Sequence, residues 1–162
     1  MTRRLRTRVA LEVADLKEAT RVIVENHYLH RSRTMAQIAY WVILDERRCG
    51  VILFALPRIS VKSEKLGCHG PMEVIELARM WLDPQVQGLH VVDRDGVQHS
   101  LSVATAAIGQ ALRRIRQDWH GKYPHLPPIQ ACVSWADEVY HEGAIYRAAN
   151  FRQMGTSGGN LH

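Results

Sequence analysis

The sequence predicts an α+β domain with a mixed central β-sheet flanked by helices, and three observations predict it. First, 162 residues that are 46% apolar and 23% charged suffice for one core at about 100–200 residues per domain and leave no room for two. Second, two runs rich in β-branched and aromatic residues, 38–44 and 51–56, flank a polar break and read as an interior hairpin of buried strands. Third, helix-period and strand-period stretches do not alternate strictly, which argues against a doubly wound parallel sheet. No apolar run approaches the roughly 18–20 residues of a membrane span, and Met1 to Arg6 leads into a polar segment without a signal-peptide core. A soluble, cytoplasmic protein without a membrane partner is expected. Cys49, Cys68 and Cys132 are too scattered for a disulfide framework and form no CxxC zinc pair, so reduced thiols are expected.

The elements follow in chain order. Residues 1–8 form a basic arm holding Arg3, Arg4, Arg6 and Arg8, and residues 9–162 form the single domain. Val9 to Val13 alternates as a first strand. Asp15 and Glu18 make a capping box, and Leu16, Ala19, Val22 and Ile23 recur at helical spacing through about Asn26. The hairpin comes next, broken by Asp45 to Gly50. Pro57, Gly67, Gly70 and Pro71 mark turns before a strand from Glu73 to Leu82. Residues 83–99 read as one long loop, a length that is usually functional or disordered. Leu101, Ala104, Ile108, Ala111, Leu112, Ile115 and Trp119 then make a helical stripe, with Ser100 or Ser102 as N-cap and Gly121 just past the end. A strand from Ile129 to Ser134, a helix near Tyr140 to Asn150 and a strand from Phe151 complete the domain. This order, β–α–β–β–β–loop–α–β–α–β, is similar to that of the acetyltransferase-like (GNAT) fold.

Three places carry residues suited to chemistry. His27 and Tyr28, with His30, Arg31 and Arg33 close by, follow the first helix; they either cap it in solvent or move protons near neutral pH. The two histidines could share a metal, but no third ligand is legible and no metal site is assigned. Arg79 lies inside a strand, where period 2 puts it on the face of Ile75, Leu77 and Trp81 and puts Glu76 on the other. An arginine there needs an anion: Asp137, Glu73, or the phosphate or carbonyl of a ligand. Finally, Ser134 and Asp137 end a strand, and Glu142, Tyr146 and Asn150 share one face of the next helix. Asp137 reads either as a helix N-cap or as a general base, and Tyr146 either as a packing residue or as a proton donor.

At these residues the sequence resembles the Mom family of phage DNA-modification proteins, which have an acetyltransferase-like fold. Ser134-Trp135-Ala136-Asp137, Gly143 to Phe151, Glu76-Leu77-Ala78-Arg79-Met80 and His27-Tyr28 carry the resemblance, over residues 22 to 155. It implies transfer of a carbamoylmethyl-type group to the exocyclic N6 amine of adenine in double-stranded DNA, which protects phage DNA from restriction. It points to His27, Tyr28, Arg79, Ser134, Asp137 and Tyr146 as the active-site set, and to Ser100 or Ser102, with Asn150, for holding a small-molecule donor. No Gly-rich phosphate-cradling turn of the RxxGxG/A type precedes the Ser100 helix. An acyl-CoA-type donor and iron therefore rest on the resemblance alone, and the cofactor is unknown.

The formal charge of +5, from 21 Lys+Arg against 16 Asp+Glu, fits a polyanionic partner. Arg3, Arg4, Arg6, Arg31, Arg33 and Arg58 are the expected phosphate contacts, with Trp81 and Trp135 as stacking or core residues. A homodimer is compatible with the chain. Two other functions fit: an acyl-CoA N-acyltransferase acting on a small amine or protein, and a non-catalytic DNA-binding antirestriction module.

Overall fold

The structure is a computed structural model, and it describes residues 2–4, 9–26, 37–57 and 63–135. Strand β1 (Thr2–Arg4) is followed by β2 (Val9–Val13), helix α1 (Leu16–Asn26), β3 (Gln37–Leu44), β4 (Arg47–Ala55) and β5 (Val74–Leu82). Then come β6 (Leu89–Val92), β7 (Gln98–Leu101), helix α2 (Val103–Lys122) and β8 (Ala131–Ser134). The expected helix from Tyr140 and the strand from Phe151 lie outside the described residues.

A five-stranded sheet in the order β2-β3-β4-β5-β8 forms the centre. Its pairs are antiparallel except β5 with β8, which run parallel from Val74 opposite Ala131 to Leu77 opposite Ser134. The fold is thus the expected α+β class, a mixed sheet with two helices among the described residues. Alternation along the strands splits the core in two. Tyr40, Val42, Ile52, Phe54, Ile75 and Leu77 face α2, meeting Ile108, Ala111, Ile115 and Trp119. Ala39, Trp41, Val51 and Leu53 face α1, meeting Ala19 and Ile23. The two helices therefore cover opposite faces. The backbone N–H of Glu18 donates to Asp15 Oδ1 at 3.0 Å, which starts α1 as the sequence predicts.

Three expectations are corrected. The hairpin break is only two residues long: β4 already begins at Arg47, and Asp45 and Glu46 make the turn at φ +51° and +65°. Positive φ at both central residues suits the right-handed twist of the flanking strands. Gly121 lies in the last turn of α2, not beyond it. The largest correction concerns 83–99, which is not a structureless loop. After a 3-10 turn at Pro84–Val86, β6 and β7 form a hairpin, and β1 pairs parallel with β6, Thr2 opposite His90. Residues Thr2–Arg4 of the basic arm are therefore strand in a second, three-stranded sheet ordered β1-β6-β7. Within it Asp93 Oδ2 meets His99 Nε2 at 2.8 Å, and Asp93 Oδ1 accepts from the N–H of Val97, closing the β6–β7 turn.

Among the described residues no helix is long and apolar enough to cross a membrane.

Candidate active site

The site is built by an irregularity in β5. Phe54 of β4 stands opposite Leu77, but Leu53 stands opposite Arg79, so Ala78 is an extra residue and β5 bulges there. A bulge turns every residue beyond it to the opposite face. Ile75 and Leu77 point toward α2, whereas Arg79 and Trp81 stand on the α1 face with Leu53 and Val51. Glu76, opposite Ala55, is on that α1 face too. The period-2 reading is thus overturned on both counts: Arg79 does not share a face with Ile75 and Leu77, and Glu76 and Arg79 lie on the same side.

Both charges are nearly sealed, Glu76 at 5% exposure and Arg79 at 8%. Charged side chains are rarely so buried unless compensated. Arg79 Nη1 donates to the carbonyl of Ala78 at 2.6 Å, so the guanidinium is anchored on the bulge itself. The carboxylate of Glu76 acts on the neighbouring strand: burial first, then this negative charge, push the Cys132 thiol up to about 12. Cys132 is therefore an inert thiol rather than a nucleophile. Of the protein anions foreseen for Arg79, Glu73 is occupied elsewhere, its Oε2 accepting from the N–H groups of His69 and Gly70. Asp137 lies outside the described residues.

The bulge falls where the parallel pair ends. Ser134 is the last residue of β8 in register, and its hydroxyl donates to the Leu77 carbonyl at 3.1 Å, tying off the ladder just before Ala78. Among the described residues no strand pairs with β5 on that side beyond Leu77, so the carboxyl ends of two parallel strands part here. Such an edge is where open sheets flanked by helices bind ligands. Ser134 stands beside Leu77, in register with the α2 face and two residues before Arg79 turns to the other, and it has a backbone-tying role that its sequence position did not reveal.

Ser102 is the N-cap of α2, accepting from the N–H of Thr105 at 3.2 Å while its hydroxyl donates to Thr105 Oγ1 at 2.9 Å. Ser100 is exposed in β7, opposite His90. Arg3 and Arg4 are in β1. His27, Tyr28, Tyr146, Asn150, Arg6, Arg31, Arg33 and Arg58 lie outside the described residues. Trp135 is 41% exposed, whereas Trp81 is half-buried against the α1-side core. The basic group at the end of α2 serves the fold: Arg114 binds Asp118 and the Leu11 carbonyl, and Lys122 binds the Gln37 carbonyl.

Sequence reasoning passed over Glu76 because a bulge is set by strand pairing, not by composition. A Glu and an Arg three apart in an otherwise apolar strand was the available signal. No three His, Cys, Asp or Glu side chains converge as a metal site among the described residues.

A sequence model of the Mom protein family matches residues 8–161, nearly the whole chain. Among curated proteins, none matches the sequence.

Proposed function

Since the chain belongs to the Mom protein family, a family of phage DNA-modification proteins, we propose that it is a transferase that modifies the N6 amine of adenine in DNA with a carbamoylmethyl-type group. The observation that carries the reading is the buried Glu76 and Arg79, turned to one face by the bulge where β5 and β8 part. A cationic fork held on its own backbone where two parallel strands part is preorganised for the charge that develops when a carbonyl-bearing donor is attacked.

In this reading the adenine nitrogen forms a bond to the donor carbon as that carbon releases its leaving group. Asp137 and His27 take the amine proton, Tyr146 gives a proton to the departing group, Tyr28 lines the same site, and Arg79 holds the donor's anionic or carbonyl oxygen. Ser100 and Asn150 are proposed donor contacts, and the N-cap at Ser102 offers a helix N-terminus to an anionic donor, an acyl-CoA type included. The exocyclic amine is paired in a duplex, so the base must leave the stack, and Arg3, Arg4, Arg6, Arg31, Arg33 and Arg58 are the proposed phosphate contacts.

The test is direct. DNA from bacteria expressing the protein is digested to nucleosides and searched by mass spectrometry for a new adenine derivative. The proposal expects one; unmodified adenine in a well-expressing culture rejects it. An acyltransferase acting on a small amine would instead turn over acetyl-CoA without DNA. A module that only occupies DNA would protect it until the protein was stripped away.

A further inference from the structure

A cavity of about 300 Å³ opens on the α1 face, lined by Glu18, Arg21, Val22, Trp41, Arg48, Gly50 and Trp81. Its walls have three origins. Glu18, Arg21 and Val22 stand three and four apart, so α1 turns one side toward it. Trp41 of β3 carries the Arg48 guanidinium over its ring at 4.7 Å from the centroid, and Arg48 is held there between Glu12 and Glu18, each at 3.7 Å. Trp81 of β5 closes the third side. At Gly50 a Cβ would collide with Leu82 Cδ2 and stand 2.5 Å from the Trp81 carbonyl oxygen, so β4 lies directly against the backbone that carries this indole. Trp81 is two residues past Arg79 on the same face, about 6.8 Å along the strand.

We propose that this cavity seats the flipped nucleotide of a DNA duplex, its base against Trp81 and the Trp41–Arg48 stack and its phosphate at Arg21. The inference rests on the DNA-modifying reading above and adds the place where the acceptor is held. The Trp81 indole and the Arg48 guanidinium plane stacked on Trp41 supply flat walls of the kind that hold an extruded base. Arg48 is already engaged by two carboxylates, whereas Arg21 is exposed and pairs with no carboxylate among the described residues. Arg21 is therefore the cation free to meet a phosphate. The volume is at the small end for ligand sites, roughly 300–1,000 Å³, which suits one base rather than an extended cofactor. A base seated there can direct its amine along β5 toward Arg79.

The test compares binding of a fully paired duplex with binding of the same duplex carrying one adenine opposite an abasic position, where extrusion costs little. The purified protein should prefer the opened duplex at least about tenfold, since unpairing a base costs a few kcal/mol. Trp81→Leu should erase most of that preference while leaving affinity for the paired duplex within about twofold. Trp81→Phe should keep it. Arg21→Gln should lower the salt dependence of binding by about one phosphate contact. An undiminished preference in a folded Trp81→Leu protein, or no preference in the unsubstituted one, overturns the proposal. Equal competition by free deoxyadenosine monophosphate, abolished by Trp81→Leu, would assign the cavity to a free nucleotide and overturn the DNA source. If cellular adenine is unmodified while the preference and its loss are observed, the transferase reading fails and the base seat stands.

Discussion

The two faces of the central sheet are built from the same strands and do different work. The α2 face is closed by a 20-residue helix, with Trp119, Tyr40, Phe54, Ile52 and Ile108 buried to the last atom or nearly so. Its Tyr40 hydroxyl is buried and donates to Asp118 at 2.7 Å under Arg114. Burial, then that carboxylate, raises the Tyr40 pKa far beyond its usual value, so the phenol stays protonated and structural. The α1 face has an 11-residue helix, a cavity between two tryptophans, and the sealed charges Glu76 and Arg79. A single extra residue, Ala78, moves Arg79 from the first face to the second. Apolar packing accumulates on the α2 face, and the costly polar groups collect on the α1 face, where the proposed reaction is placed.

That division can be broken most sharply at Arg79. Arg79→Gln should abolish adenine modification in cells while the protein still folds; retained modification would empty the α1 face of its proposed chemistry. Next in size, Trp119→Ala on the α2 face should cost about 3–5 kcal/mol in urea unfolding, from lost burial plus the cavity left behind. A loss under about 1 kcal/mol would mean the α2 face is not the main source of stability. Gly50→Ala should cost about 1–3 kcal/mol by forcing β4 from β5, and it should also lower modification because it shifts Trp81. Smallest, Glu46→Gly should raise stability by up to about 1 kcal/mol by relieving a positive φ, with modification unchanged.

The β6–β7 turn of the second sheet supplies a control away from the α1-face site. The hydrogen bond from His99, then the N–H of Val97, hold the Asp93 carboxyl below its ordinary 3.8. A lowered carboxyl contributes stability that is present above the unfolded-state value and is lost as pH falls through the folded-state one. Unfolding midpoints should therefore fall in the acid range, and Asp93→Asn should flatten part of that fall without altering the contrast between the two faces.

What could be read from the chain follows from the range of the interactions involved. β2, α1, the two hairpin strands, β5 and α2 rest on local alternation, capping and periodicity, and they stand within a few residues of where the sequence puts them. The β6–β7 hairpin has short polar strands, and β1 pairs with it from some ninety residues away, as Thr2 does with His90; no local pattern carries that. Glu76 lies on the face opposite Ile75 and Leu77, as period 2 reads it, but the face of Arg79 depends on the register between β4 and β5, so strict period 2 assigned Arg79 wrongly. Arg79 itself was legible, because an arginine inside an apolar strand needs a reason.

The proposed site stands or falls with Glu76 and with Arg79, the latter turned to the α1 face by the bulge. Glu76→Gln tests it most directly, since it removes one charge and almost no volume. DNA from cells expressing this variant, digested and quantified for the new adenine derivative beside the unsubstituted protein at matched soluble expression, should show at least about a tenfold loss. Modification at the unsubstituted level would contradict the account.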